Sequence, residues 1–496
     1  MNERPLVRKM REDYQYFGGI SLVYGIIFTF CLYKNMHGIT FPICVIATIL
    51  TAFLFMKRIH YKLQKKSIPY IVGMLLLGLS TALTTSFFLH FFNMIGIILL
   101  FFVWMIHQFY EDENWNFPAY IKRLFLLFGT MAASVLYPFS HGTGYLSRTQ
   151  NKKKQTVAAV VIGFFVALGI LCIVLPLLLR SDVVFAKIFG QILKYINFGN
   201  LIGIGVTIVL GFILAYSFFA ALCKYNFPNE NKRKIRYFNP VIGITFTSIV
   251  SVIYLLYCLI QIIYLFIGIQ TGLPAEVTYS EYARGGFWEL LFVSFLNFIM
   301  VLLCMFLFKD SIPLKVILTV ISACTFIMIF SAAYRMFLYV GVYHLTFLRI
   351  LVLWFLITLI FIMSGVVVSI YKERFPLFRY IMAVVSVLYI GFSFSRPDAI
   401  VARYNVAHSE NMKEEDIYYL LTKLSTDAAP VIADIDVSHY DDYVKGDVYQ
   451  YFLDISERNK GIYFRKANYS RIRAKMTADR YIQEHKEYQY NWYDEW

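Results

Sequence analysis

The sequence predicts an all-α fold: a polytopic transmembrane helical bundle of about eleven spans with a small helical C-terminal extramembrane tail. Three observations predict it. Hydrophobic residues make up 59% of the chain and charged residues only 16%, against about 25% charged in a soluble globular protein. The apolar residues gather into separate runs of about 17–28, the length that crosses a hydrocarbon core as a helix. The runs lack the period-two alternation of a barrel strand, and a helix satisfies its own backbone polar groups inside lipid.

Spans are expected at about 17–33, 39–56, 69–90, 93–110, 157–179, 200–223, 240–268, 286–308, 312–333, 344–371 and 377–395. The N-terminal Arg4, Arg8, Lys9 and Arg11 precede an apolar run with no small-x-small cleavage site, so the run reads as an uncleaved first span. The membrane domain is then 1–395 and the tail 396–496.

Charge placement orients the bundle. The net charge is +15, yet residues 396–496 hold 14 Lys+Arg against 18 Asp+Glu, so the rest carries about +19 in short loops. That is the positive-inside pattern; it argues against a nucleic-acid partner. With the N-terminus in the cytoplasm, the clusters at Lys57/Arg58/Lys62/Lys65/Lys66, Lys152–Lys154, Lys232/Arg233/Lys234/Arg236, Lys309/Lys315 and Lys372/Arg374/Arg379 all lie inside. The tail is then extracytoplasmic. This holds if residues 119–139, which contain Lys122 and Arg123, form an interfacial or re-entrant helix rather than a twelfth span.

In the tail, residues 414–425 place Ile417, Leu420, Leu421 and Leu424 at helical spacing, and 467–486 read as a second helix. Its many tyrosines, with Trp492 and Trp496, favour an interface with a membrane surface or a membrane-protein partner.

Motifs that carry chemistry are scarce. The seven cysteines all fall within apolar runs and none forms a CxxC, so they read as buried small hydrophobes. No HExxH, Walker A, GxSxG or dinucleotide fingerprint occurs, and neither metal nor cofactor is expected. Asp434-Ile-Asp436 reads as an exposed loop, and Asn468-Tyr469-Ser470 as a chance match to the glycosylation pattern. Gly199 and Gly203 suit helix–helix contact.

Five stretches, taken in order, carry a resemblance: LPLLLRSDVVF (175–185), YSEYARGGFWELL (279–291), SAAYRMFLYVGVYHLTFLRI (331–350), RPDAIVARYNVA (396–407) and YLLTKLSTDAAPVI (419–432). Over about residues 155–432 the chain resembles the bacterial inner-membrane proteins of the domain of unknown function families 4153 and 4173. Members usually read Arg-Arg-Gly-Phe where this chain has Arg284-Gly285-Gly286-Phe287. The resemblance implies a multi-pass protein of the bacterial plasma membrane and carries no known reaction, ligand or catalytic residue.

The same stretches hold the unusual polar residues on the extracytoplasmic side: Arg180, Asp182, Glu281, Arg284, Glu289, Arg335, His344, Arg349, Arg396, Asp398 and Arg403, with Asn405. Charges inside a span usually face protein or water, since lipid costs them about 2.5–3.5 kcal/mol. Two readings stand. The residues line a pocket for an anionic lipid headgroup or polar solute, or they pair with one another to fix helix packing, with arginines reaching lipid phosphates. The function expected is a non-enzymatic carrier or an accessory or sensing component of the envelope. The alternatives are a transferase-like enzyme acting on a lipid or lipid-linked substrate, with Glu289, Glu281 or Asp182 as base, and a structural scaffold.

Overall fold

The computed structural model describes residues 4–110, 115, 117–148, 198–225, 238–271, 279–372, 374–408 and 413–488, with scattered positions between 156 and 187. The regular elements among the described residues are helical, with an isolated bridge between Phe238 and Phe308. After the short α1 (Pro5–Glu12) come α2 (Tyr14–Leu32), α3 (Thr40–Arg58), α4 (Ile68–Leu83), α5 (Phe87–Phe109), α6 (Phe117–Ala133), α7 (Tyr137–Arg148) and α8 (Phe198–Lys224). Then follow α9 (Pro240–Thr271), α10 (Tyr279–Leu307), α11 (Ile312–Tyr343), α12 (Phe347–Tyr371) and α13 (Leu377–Phe394). The tail contributes α14 (Pro397–Ala407), α15 (Glu414–Lys423), α16 (Ala429–Ile432), α17 (Asp442–Arg458) and α18 (Tyr469–Glu484).

Among the described residues ten helices are long and apolar enough to cross a membrane, or eleven if α6 and α7, bent by 50°, count as one span. They are α2–α5 and α8–α13. The all-helical, multi-pass architecture read from the sequence is therefore the architecture of the chain. The run expected at 157–179 falls largely outside the described residues.

Three boundaries differ from expectation, the first being that α10 begins at Tyr279 and not near residue 286. The break between the third and fourth spans comes at Thr84–Ser86, not near residue 91, because short hydroxyl side chains there serve the backbone: Ser86 N–H donates to Thr84 Oγ1 at 3.1 Å. Helix α11 runs to Tyr343 instead of stopping near 333, so Arg335 lies inside a helix and not in a loop.

The chain forms two compact units: Met1–Asp112, Pro118–Asn229 and Gly461–Tyr469 in the first, Glu113–Phe117, Glu230–Lys460 and Ser470–Trp496 in the second. In the first unit α2 crosses α8 backbone to backbone. A Cβ at Gly25 would lie 2.6 Å from the Ile208 carbonyl, and one at Gly211 would lie 2.9 Å from Gly25 Cα. Glycines permit that approach, and close packing is what holds helices together in lipid. One end of this unit is basic, with Arg58 bound to Asp13 at 2.8 Å. The other end carries the loops 33–39 and 84–86, and the segment Gly461–Tyr469 closes on them. Ile39 N–H donates to Ala467 O at 2.7 Å. Asn468 Nδ2 donates to the carbonyls of His37 (2.9 Å), Thr81 (3.2 Å) and Thr84 (2.9 Å). Thr81 and Thr84 sit at the C-terminus of α4, where carbonyls have no helical partner.

In the second unit, Lys309, Lys315, Lys372, Arg374 and Arg379 mark one end of the helices, and the 344–346 loop lies at the other. Tail helices cover that loop. One core runs through Met328, Met336, Leu345 and Val352 into Val401, Ile417, Leu420, Val448 and Phe452. Helices α14 and α17 were not legible as elements, although Val444, Val448, Phe452 and Ile455 recur at helical spacing along α17.

Candidate functional site

The polar residues flagged in the sequence fall in both units. Arg180 and Asp182 belong to the first and the other ten to the second. Asp182 is exposed, and its Oδ1 accepts the N–H groups of Val184 (2.7 Å) and Phe185 (2.9 Å), a local turn contact. Glu281 and Arg284 lie in the first turns of α10, and their side chains fall outside the described residues. Glu289 is exposed beside exposed Trp288, and no described residue pairs with it.

Arg335 is buried inside α11. Its Nη2 donates to Gln261 Oε1 of α9 at 3.3 Å, and Ser331 Oγ donates to the same oxygen at 2.7 Å. The guanidinium lies against Gly286 of α10, where any Cβ would overlap it. A neutral amide, an α11 hydroxyl and a missing side chain thus make room for a charge within three packed helices. Buried charges persist only where hydrogen bonds replace water.

Eight residues further on, α11 ends and the chain turns sharply. His344 has φ +60° and ψ 173°, a backbone region that favours glycine and costs other residues about 1–3 kcal/mol. Arg349, one turn into α12, holds the turn closed. Its Nη1 donates to Tyr343 O at 2.5 Å and to His344 O, and its guanidinium lies over the Tyr339 ring at 4.2 Å. His344 Nε2 is 3.5 Å from Asp416 Oδ2 of α15.

Tail residues complete the junction. Asn405 of α14 pairs with both backbone groups of Leu345, accepting its N–H and donating to its carbonyl, each at 2.9 Å. Phe347 N–H, an orphan donor at the start of α12, donates to Tyr419 Oη at 2.9 Å; burial raises the pKa of that tyrosine. Asp398 is buried in the first turn of α14, and its Oδ2 accepts Ser425 Oγ at 2.5 Å. Asp427 is buried too and accepts Ser470 Oγ at 2.5 Å. Burial, with Asp398 and Asp427 nearby, pushes the Tyr451 pKa up. Arg396 enters α14 in a left-handed conformation with Pro397 after it, and Arg403 is exposed.

The structure therefore brings His344, Arg349, Asp398 and Asn405 to one junction between the α11–α12 turn and the tail. Arg335 sits deeper, on Gln261. Sequence reading passed over Gln261, Ser331, Asp416, Tyr419, Ser425 and Asp427; three of these, Tyr419, Ser425 and Asp427, lie within the 419–432 stretch it had marked. Among the described residues no three His, Cys, Asp or Glu side chains converge as a metal site.

The residues of this junction fall almost wholly inside one match. The family model described as Domain of unknown function (DUF4153) covers residues 71–435. The chain belongs to this family. The match begins well before the resemblance visible by motif, taking in α4 and α5, and it ends just past α16. The match spans the α11–α12 turn, α14, α15 and the Ser425–Asp427 segment, whereas α17 and α18 lie beyond it. No curated protein and no solved structure matches the chain.

Proposed function

We propose that this protein is a non-enzymatic accessory or sensing component of a bacterial cell envelope, a multi-pass plasma-membrane protein whose extracytoplasmic tail relays contacts to its membrane helices. The observation that carries this is the junction at residues 343–349. The family-bearing polar residues there are engaged by Asn405, Asp416 and Tyr419 of the tail, and the apolar core is continuous from α11 and α12 into the tail. A force or ligand acting on the tail meets the outer ends of α11 and α12 directly.

The orientation rests on charge. The helix ends that carry basic residues in each unit are cytoplasmic by the positive-inside rule, and the tail segments 461–469 and 397–425 contact the opposite ends. On this reading 1–395 is the membrane domain and 396–496 an extracytoplasmic tail. Residues 119–139 form a re-entrant or interfacial helix on this reading. Tyr137 meets Lys224, Tyr145 donates to Gln15 at 3.2 Å, and Tyr110 donates to Tyr225 O at 2.7 Å, all at the basic end. These contacts support a chain that leaves and rejoins the same end. Exposed Arg403 supports an anionic-headgroup partner on this reading, whereas Arg349 is taken up by the carbonyls of Tyr343 and His344.

The test is complementation of a deletion strain under envelope stress. A chain ending at residue 395 should accumulate in the membrane yet fail to restore growth. Full rescue by that truncation sinks the reading.

A further inference from the structure

Helices α15 and α17 of the tail leave an open groove of about 240 Å³ between them. Its floor is apolar, formed by buried Ile417 and Val444. Its walls are two tyrosines, Tyr418 at 60% exposure and Tyr443 at 65%, large rings that folding leaves in water. Its rim is acidic, with Glu414, Glu415 and Asp447 and no lysine or arginine among the lining residues. Burial raises the pKa of Asp447, so this carboxylate is already partly removed from water.

We propose that this groove is the docking site for a cationic amphipathic segment of another envelope protein, one apolar anchor entering between the tyrosines while Lys or Arg side chains meet the rim. This rests on the reading of the tail as the part that receives contacts, and deepens it by naming the partner's chemistry. Two occupants fit less well. An anionic lipid surface is repelled by three carboxylates around the aromatic rings, although Tyr is otherwise suited to an interface. A second copy of the tail repeats the same acidic rim, and like charges face to face disfavour association. Complementary charge with a central aromatic anchor is the pattern of a specific docking site.

The experiment uses the full chain in zwitterionic-lipid nanodiscs. The probe is a fluorescent leucine–lysine amphipathic peptide of about 14 residues, and the readout is anisotropy. The control peptide carries glutamate in place of lysine. The lysine peptide should bind and the control should not, and affinity should fall several-fold from about 50 to about 500 mM salt. The double variants E414Q/E415Q and Y418A/Y443A should each weaken binding about tenfold with little change in melting temperature, since all four side chains lie at the surface and glutamine puts no positive charge at the start of α15. Equal affinity in the variants, or equal binding of the control, overturns the proposal. So does concentration-dependent dimerisation that the same substitutions abolish, which would make a second copy the occupant. Removing residues 489–496 should leave affinity unchanged; a large gain would assign the groove to the chain's own terminus. If peptide binding fails while the chain ending at 395 still fails to complement, the groove falls and the relay reading stands.

Discussion

Asn405 acts as a substitute peptide group for Leu345. Its carboxamide accepts the Leu345 N–H and donates to the Leu345 carbonyl, each at 2.9 Å, and both residues are buried. Few side chains can do this, because it takes one acceptor and one donor in a single plane. Asn405→Ala leaves both backbone groups of Leu345 without that partner. The expected loss is about 2–3 kcal/mol, at roughly 1 kcal/mol per bond plus the stranded groups. Thermal unfolding in detergent should show a melting temperature lower by several degrees. Asn405→Asp keeps only the accepting half and should be at least as damaging. An unchanged melting temperature for both variants would remove the clamp from the account.

How far this junction was legible depends on what signals it. Span positions were readable because apolar runs of the right length are nearly all a membrane helix requires. Arg335 was visible as a charge near a span, but its setting was not. Gln261 lies 74 residues away, and Gly286 announces nothing except by what it lacks. His344 was noticed as a sparse residue type, yet its partner is Asp416 in the tail. The helix spacing of α17 was present in the sequence, masked by the many acidic residues between its apolar positions. The backbone-directed contacts of Asn405, Tyr419 and Asn468 have no sequence signature at all, since any Asn or Tyr could make them once folding has placed it.

Topology gives a direct test. Met36 is exposed in the loop between α2 and α3, Lys62 is exposed at the basic end, and Tyr463 is 80% exposed in the segment that closes on the first unit. Each is replaced singly by cysteine. The parent for these variants has its seven native cysteines replaced by serine. An impermeant thiol reagent applied to intact cells should label Met36→Cys and Tyr463→Cys but not Lys62→Cys. Labelling of Lys62→Cys alone would invert the orientation. Labelling that separates Met36→Cys from Tyr463→Cys would contradict the closure of Gly461–Tyr469 on the 33–39 loop.

The bent pair α6–α7 can be probed in the same way. Lys122 and Ser140 are both exposed and lie on opposite sides of the bend. If the pair enters and leaves at the basic end, Lys122→Cys and Ser140→Cys are both silent from outside and both reactive in inverted vesicles. Should one react only from outside and the other only from inside, the pair spans.

Gly286 and Arg335 should behave as one unit. Gly286→Ala places a methyl group where the guanidinium lies. The flexible arginine can swing away, but only by giving up the 3.3 Å bond to Gln261. A loss of about 1–2 kcal/mol is expected, within the range for overpacking. Arg335→Met removes the conflict along with the charge, so adding Gly286→Ala to it should cost much less. The cycle should therefore show a coupling of about 1 kcal/mol. Strict additivity would mean that the two residues do not compete for the same space.

The last prediction concerns Asn468, which is buried with its amide nitrogen facing three backbone carbonyls of the first unit, those of His37, Thr81 and Thr84. Sequence alone offered this residue only as a chance glycosylation match, and a glycan cannot be attached to a side chain enclosed in this way. Asn468→Ala removes donors from carbonyls at the end of α4, with an expected cost of about 1–3 kcal/mol. Asn468→Asp is nearly the same size, yet at neutral pH it presents a negative oxygen to three partially negative ones. It should therefore cost more than alanine does, the reverse of what side-chain volume alone would give. Limited proteolysis near Asn459–Tyr463 provides a local readout: cleavage should rise in the order wild type, Asn468→Ala, Asn468→Asp. At acidic pH the aspartic acid regains a proton to donate, and the two variants should converge. If Asn468→Asp is cut no faster than Asn468→Ala at neutral pH, the amide is not the group that fixes this segment.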